Sequence, residues 1–372
     1  MNKNGEAGKR DDMMKKNILV VDDSALMRRL ICDIINTDSA FQAIDVCKDG
    51  QEAYERLKKV SYDAVILDVN MPRMDGLQLL EKLQQEDIKA IVIMVSTLTV
   101  KDADVTIRAM ELGAIDFVTK PTNIIEAKGD TFKGGLLRVL RAVVKSDASK
   151  MAMSTNTKPV EKPTPVKAIQ IPKRVVGGSR NKLVALACST GGPKALQSVI
   201  PYLPENMDAP MLLVQHMPAG FTKSMAERLN EVSKITVKEA EDGEVLKKGC
   251  VYVAPGGKHM EIQKKADRTH VVKLNLEPPI GGLRPCANVT YESLRNSGYD
   301  EIVCVVLTGM GADGTGGILS LKKKKPIHVI SQDAQSCVVY GMPKAIAEAG
   351  AVDEVVPLTE VAQTIIKNVG VQ

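Results

Sequence analysis

The chain has 372 residues, of which 44% are hydrophobic and 26% charged, with a net charge of +5; this is an ordinary globular balance, long enough for two or three domains. No apolar run approaches the roughly 20 residues that span a bilayer, the first sixteen residues carry charges but no apolar signal core, and so modest a net charge does not argue for nucleic acid. Aromatic residues are only 3% and Trp is absent, so the cores must be built from Val, Ile, Leu, Ala and Met. The seven cysteines are scattered and form no C-x-x-C pair, and they are expected to be buried, reduced thiols of a cytoplasmic protein.

Residues 1–16 read as a disordered leader. From residue 17 to 145, short apolar runs alternate with amphipathic stretches. Strands are expected at Asn17–Val21, Phe41–Cys47, Ala64–Leu67, Ala90–Val95 and Ala114–Val118. Helices are expected at Ala25–Ile35, Gln51–Lys58, Leu77–Gln85, Asp102–Leu112 and Thr131–Val144. Such alternation predicts an α/β fold, a doubly wound five-stranded parallel sheet with right-handed crossovers. Residues 146–180, rich in Pro, Lys, Ser and Thr and without apolar period, read as a flexible linker.

A second α/β domain is expected over 181–372. KLVALAC, MLLVQH, ITVKEA, VYVAP, HVVKLNL, EIVCVVLT and IHVISQ read as its strands, mostly parallel, with some antiparallel strands around Val251–Leu276. Helices are expected at Pro193–Ile200, Thr222–Asn230, Val289–Asn296 and Gly314–Lys322. The run Lys322–Lys325 reads as the solvated end of a helix.

In the first domain, ILVV runs into Asp22 and Asp23, and AVIL runs into Asp68. A parallel sheet delivers these three carboxylates to its carboxyl edge, where such folds bind ligands. Clustered acids repel unless a cation lies between them, and hard oxygen ligands suit Mg²⁺. A carboxylate beside Mg²⁺ can act as nucleophile toward a phosphoryl group. Ser96 and Lys120 follow strands at the same edge, and a hydroxyl and an ammonium are suitable donors to phosphoryl oxygens. With VVDDS, LDVNMPRMDG, MVST and FVTKP, residues 17–140 resemble a response-regulator receiver domain, which has the flavodoxin-like fold. The resemblance implies phosphorylation of Asp68 by a partner histidine kinase. It also implies Mg²⁺ on Asp23, Asp68 and the Asn70 carbonyl with Asp22 assisting, phosphoryl sensing by Ser96 and Lys120, and Phe117 as the mobile aromatic switch.

In the second domain, KLVALAC ends at Ser189, followed by TGGPKAL. A serine at a strand-to-helix turn is exposed at the carboxyl edge, with free helix N–H groups facing developing negative charge. The turn resembles a nucleophile elbow without the G-x-S-x-G pattern. Of the four histidines, His270 and His328 sit in strand-like runs and read as structural, while His259, in the PGGKHM turn, is undecided. His216 ends MLLVQ at the same edge as Ser189 and is taken as general base. Asp313, on the loop after EIVCVVLT, is its orienter, and backbone N–H groups of Met310 or Thr190 are candidate oxyanion donors.

A rival reading notes that Gly309, Gly311 and Gly314 form G-x-G-x-x-G between a strand and a helix, with Asp333 about 20 residues on, the fingerprint of a dinucleotide site. It leaves the serine loop and His216 unexplained. STGGP, QHMP, LRPCANV and LTGMGADG together resemble the catalytic domain of chemotaxis protein-glutamate methylesterases. That resemblance implies a Ser189–His216–Asp313 triad with Met310 at the oxyanion hole, and no metal for hydrolysis. The implied substrates are glutamate γ-methyl esters on the cytoplasmic helices of chemoreceptors, with deamidation of receptor glutamines as a second activity.

Overall fold

The computed structural model describes residues 15–121, 130–145 and 181–372. Residues 1–14 of the expected leader and the expected linker 146–180 lie outside the described residues. Five strands, β1 Lys16–Val21, β2 Phe41–Cys47, β3 Ala64–Asp68, β4 Val92–Ser96 and β5 Asp116–Thr119, form a parallel sheet in the order β2-β1-β3-β4-β5. The order reverses between β1 and β3, so the crevice beyond their carboxyl ends is the place for a ligand.

Helices α1 Ala25–Asn36, α2 Gly50–Leu57, α3 Gly76–Gln85, α4 Val100–Glu111 and α5 Asp130–Lys145 belong to this domain. The first four start where their sequences supply a cap. The side chains of Ser24, Asp49, Asp75 and Thr99 each accept from a backbone N–H of the first turn. Asp75 and Gln78 complete a capping box.

The second sheet has seven parallel strands. They are β6 Lys182–Cys188, β7 Met211–Gln215, β8 Thr236–Glu239, β9 Cys250–Val253, β12 Glu301–Val306, β13 Ile327–Gln332 and β14 Glu354–Val356, in the order β14-β13-β12-β6-β7-β9-β8. A separate antiparallel pair, β10 His259–Lys264 and β11 His270–Asn275, packs beside it. The helices are α6 Gly192–Gln197, α7 Phe221–Val232, α8 Ala287–Ser293, α9 Thr315–Lys322, α10 Met342–Glu348 and α11 Val361–Val369.

The antiparallel strands expected around Val251–Leu276 are β10 and β11, while the strand at Val251 itself is a parallel member of the main sheet. One expectation needs correction. His259 opens strand β10, so the expected PGGKHM turn ends before it. β10, β14, α10 and α11 are elements beyond those expected from the sequence.

The domains are packed together. One contiguous cluster of buried apolar side chains contains Ile107, Met110 and Phe117 from the first domain and Leu196, Phe221 and Met225 from the second. The rings of Phe117 and Phe221 stack with centroids 4.4 Å apart. Arg228 on α7 grips Glu111 on α4 with two nitrogens, at 2.6 and 3.2 Å. All seven cysteines are free, and all but Cys32 are buried. No described helix is long and apolar enough to cross a membrane.

Candidate functional sites

The first site lies at the switch point of the five-stranded sheet. Carboxylate oxygens of Asp22, Asp23 and Asp68 lie within 4.8 Å of one another, with Asp22 and Asp68 buried and Asp23 exposed. Lys120 Nζ is 2.8 Å from Asp22 and 2.7 Å from Asp68. Burial pushes the Asp68 carboxyl up to about 6; the Lys120 ammonium opposes the rise, and the charge of Asp22 adds to it. Lys120 loses some basicity to burial, but the two carboxylates outweigh that and hold its pKa above the usual value.

The remaining expected residues surround this pair at different distances in the hydrogen-bond network. Ser96 lies one residue beyond Val95, the register partner of Asp68, and its Oγ is 2.8 Å from Thr106 Oγ1. The Asn70 side chain is turned to Asp102, at 2.8 Å. Phe117 is committed to the domain interface through Phe221. The three-carboxylate donor set, all oxygen and open on the Asp23 side, fits a hard divalent cation such as Mg²⁺.

The second site also sits at a switch point, because the order of the seven-stranded sheet reverses about β6. Cys188 on β6 is in register with Gln215 on β7, so Ser189 and His216 leave adjacent strands side by side. On the other flank of β6, the backbone N–H of Ser189 donates to Thr308 O at 3.0 Å, just past β12. A Cβ on Gly309 would lie 2.9 Å from the Ser189 Cβ and 2.4 Å from Met342 Sδ, so only glycine allows the loop after β12 to approach the serine this closely. Gly191 takes φ 76° at the turn into α6, and Pro193 follows in that helix's first turn.

His216 Nε2 and Asp313 Oδ2 are 2.7 Å apart. Asp313 also accepts from the backbone N–H groups of Ala287 (2.6 Å), Asn288 (3.0 Å) and Gly314 (2.9 Å), and from Cys286 Sγ (3.1 Å). Asn288 Oδ1 in turn accepts from Gly314 N and Gly317 N, which ties the start of α8 to the start of α9 around the carboxylate. Burial alone would raise the pKa of Asp313, but the His216 hydrogen bond and charge, then the Ala287 N–H and Cys286, bring it down to about 2.

That shift has a stability consequence. A carboxyl lowered from its ordinary 3.8 to about 2 stabilises the fold by on the order of 2 kcal/mol above pH 4. The contribution fades as pH falls through 2, because both folded and unfolded chains are then protonated. Denaturant titrations of Asp313→Asn and the parent chain should therefore differ by about that amount at pH 7, narrow below pH 4 and converge only below pH 2. An undiminished gap in acid would assign the loss to packing instead.

Several structural partners were missed by the sequence reading. Gln215, buried within β7, donates through Nε2 to the carbonyls of both Ser189 (3.1 Å) and His216 (3.3 Å) and accepts from Cys188 Sγ. Thr308 Oγ1 donates to Thr190 O at 3.0 Å, and Gln332 receives the Thr308 N–H. A polar residue closing the otherwise apolar run MLLVQ was the available signal for Gln215. Met310 and Thr190 flank Ser189, and no described residue accepts from either backbone N–H. His270 accepts from Gly298 N and stacks on Tyr299, and His328 pairs with Glu354. The Asp333 carboxylate accepts from Ser336 N, so the acid of the rival dinucleotide fingerprint is already occupied.

The second site lies at the domain seam. Asp116, at the start of β5, is beside Thr190; burial raises its pKa, while the Thr190 side chain and the Phe117 N–H counteract the rise. Burial depresses the pKa of Lys194 on α6, helped by the charge of Lys89 on the first domain.

A carboxylate-lined α/β domain packed against a second α/β domain, with Ser189 and the His216–Asp313 pair at its sheet edge, is the arrangement of a response regulator with an enzymatic output. The model for the response regulator receiver domain matches residues 18–128, and that for CheB methylesterase matches residues 184–365. A protein-glutamate methylesterase/protein-glutamine glutaminase of Syntrophomonas wolfei is 40% identical over 360 residues, covering 95% of this chain and 99% of its own. One of the same name from Pyrococcus horikoshii is 43% identical over 356 residues, covering 95% and 94%. The crystal structure of the Thermotoga maritima CheB methylesterase catalytic domain is 42% identical, covers 51% of this chain and 99% of that one, and gives a TM-score of 0.49. The chain belongs to the protein-glutamate methylesterase/protein-glutamine glutaminase family.

Proposed function

We propose that this chain is a phosphorylation-activated hydrolase that removes methyl groups from glutamate γ-methyl esters of chemoreceptors, releasing methanol, and that it deamidates receptor glutamines, in chemotactic adaptation. The observation that carries the reading is the His216–Asp313 contact of 2.7 Å at the sheet edge where Ser189 emerges. The domains it assumes are a leader over 1–16, a receiver over 17–145, a linker over 146–180 and a catalytic domain over 181–372.

Because Nε2 of His216 faces Asp313, the nitrogen left for Ser189 is Nδ1. As the Ser189 hydroxyl attacks the ester carbonyl, Nδ1 takes its proton, and Asp313 stabilises the imidazolium that forms. The oxyanion receives the backbone N–H groups of Thr190 and Met310, each such donor being worth about 10²–10³ in rate. Methanol leaves with the proton from Nδ1, and water, activated by the same nitrogen, cleaves the acyl-enzyme. With a glutamine side chain, ammonia leaves in place of methanol.

In the receiver, Asp68 would accept the phosphoryl group from a chemotaxis histidine kinase, with Ser96 and Lys120 contacting its oxygens and Phe117 responding. Asp22, Asp23, Asp68 and the Asn70 carbonyl would hold Mg²⁺, which supplies charge neutralisation for the incoming phosphoryl oxygens. The unphosphorylated receiver holds the Ser189 edge through Asp116, Phe117 and Glu111, and phosphorylation loosens that seam. A swing from mostly closed to mostly open needs a differential of up to about 5.5 kcal/mol.

Methanol release from methylated chemoreceptor, with and without acetyl phosphate and Mg²⁺, tests both halves. The parent chain should be stimulated, and Asp68→Asn should stay at the resting rate. A normal response in Asp68→Asn would remove Asp68 from its role, and no release in any condition would remove the esterase reading.

A further inference from the structure

We infer that the loop Leu276–Leu283 is a preformed docking ridge for the helical segment of the substrate protein that carries the esterified glutamate. The inference rests on the methylesterase reading and names what, beyond the ester itself, the enzyme recognises. The loop leaves β11 and turns its apolar side chains outward. Leu276 is 70% and Ile280 51% exposed, with Pro278 and Pro279 exposed between them.

Its backbone is nevertheless pinned along its length. Glu277 N donates to Asn275 Oδ1 at 3.1 Å. Arg284 Nη1 donates to the carbonyls of Leu276 (3.1 Å) and Glu277 (3.0 Å). His259, 1% exposed, holds Pro278 O through Nε2 at 3.2 Å, which gives the one undecided histidine a role outside the triad. Ile280 and Leu283 exchange both backbone hydrogen bonds.

A loop ordered only for the sake of the fold would turn its large apolar side chains inward. Here the backbone entropy is already lost while the apolar groups stay in water, which is the arrangement that lowers the ordering penalty for a partner.

The root of the ridge belongs to the active site. Arg284 O accepts from Gly257 N, and Gly256 lies so close to Pro218, two residues past His216, that a Cβ there would be 2.3 Å from the Pro218 backbone. Two residues beyond Arg284, the run Cys286–Asn288 begins to grip Asp313. A partner seated on Leu276 and Ile280 therefore rests on a loop whose base is packed against the segments that carry His216 and Asp313. A glutamate ester side chain by itself offers few atoms to bind. When it enters the cleft from a helix, residues one and two turns away lie about 5 and 11 Å along the axis. Apolar residues at such positions are the ones the ridge would receive.

The test compares the parent full-length chain, Leu276→Ser/Ile280→Ser and Leu276→Met/Ile280→Val, all with acetyl phosphate and Mg²⁺. Each is assayed for methanol release from membranes bearing methylated chemoreceptor and for hydrolysis of p-nitrophenyl acetate. The serine pair should lose about tenfold in kcat/KM on the receptor, mostly through KM, equivalent to about 1.4 kcal/mol. Its small-ester rate should stay within twofold of the parent, and the Met/Val pair should match the parent on both substrates. Unchanged receptor turnover in the serine pair overturns the ridge. So does a parallel loss on both substrates, which would make the loop a support for Asp313, or an equal loss in the Met/Val pair. A parent chain that cleaves the small ester but releases no methanol would overturn the substrate reading itself, and the ridge with it.

Discussion

Replacing Ser189 by alanine is expected to lower methanol release by about 10⁴-fold or more, and adding His216→Ala should lower it little further. In the proposed mechanism the two residues act as one unit, since a base without its nucleophile has no proton to take. What remains should be the small acceleration provided by the oxyanion donors and by binding. The geometry favours this outcome over a purely structural serine. Ser189 is held from behind by Thr308 O through its N–H and by Gln215 through its carbonyl, so its backbone is fixed while its hydroxyl is left for chemistry. Single-turnover methanol release by each variant, with circular dichroism as a control for folding, measures it. Near-parental release by Ser189→Ala would transfer the nucleophile elsewhere, and multiplicative losses would break the unit.

Reversing the charge of Arg228 should have the next largest effect, in the opposite direction. Arg228→Glu sets a carboxylate against Glu111 and Glu231, both of which Arg228 now binds. The Arg228 side chain is 39% exposed and that of Glu111 24%, so solvent screens the pair and about 1 kcal/mol is a fair value for it. Replacing attraction by repulsion doubles that, and unphosphorylated activity should rise roughly tenfold to thirtyfold if the seam limits access to Ser189. The double exchange Glu111→Arg/Arg228→Glu should restore much of the low resting rate, and added salt should narrow every difference. Resting activity unchanged by Arg228→Glu would mean that this contact does not hold the enzyme closed.

Most of the architecture was legible because its signals are local. Apolar runs that stop at Asp22, Asp68, Ser189 and His216 announce both the strands and the edge at which they end. Three of the missed elements had weak or misleading local signals, whereas α11, with Val361, Ala362, Ile365 and Val369 buried at helical spacing, was legible. β14 is only Glu354–Val356, and α10 has seven residues, too few to display a helical period. β10 alternates, but the adjoining Pro255-Gly256-Gly257 drew the reading toward a turn. At the candidate sites, side chains at strand ends could be named, but the cradle of Asp313 could not. Its donors are mainly backbone N–H groups about 25 residues upstream, and any residue other than proline supplies one. The orientation of the His216 ring, with Nε2 rather than Nδ1 toward Asp313, likewise belongs to packing and has no trace in composition.

The apolar cluster shared by the two domains ties regulation to constitution. Ile107, Met110 and Phe117 are at once part of the receiver's own interior and part of the surface on which Phe221 and Met225 rest. Sequence drift that loosens the receiver would therefore not be silent at the catalytic edge, since the same side chains support both. If the seam restrains the catalytic domain as proposed, selection for a quiet resting enzyme also protects the receiver's packing.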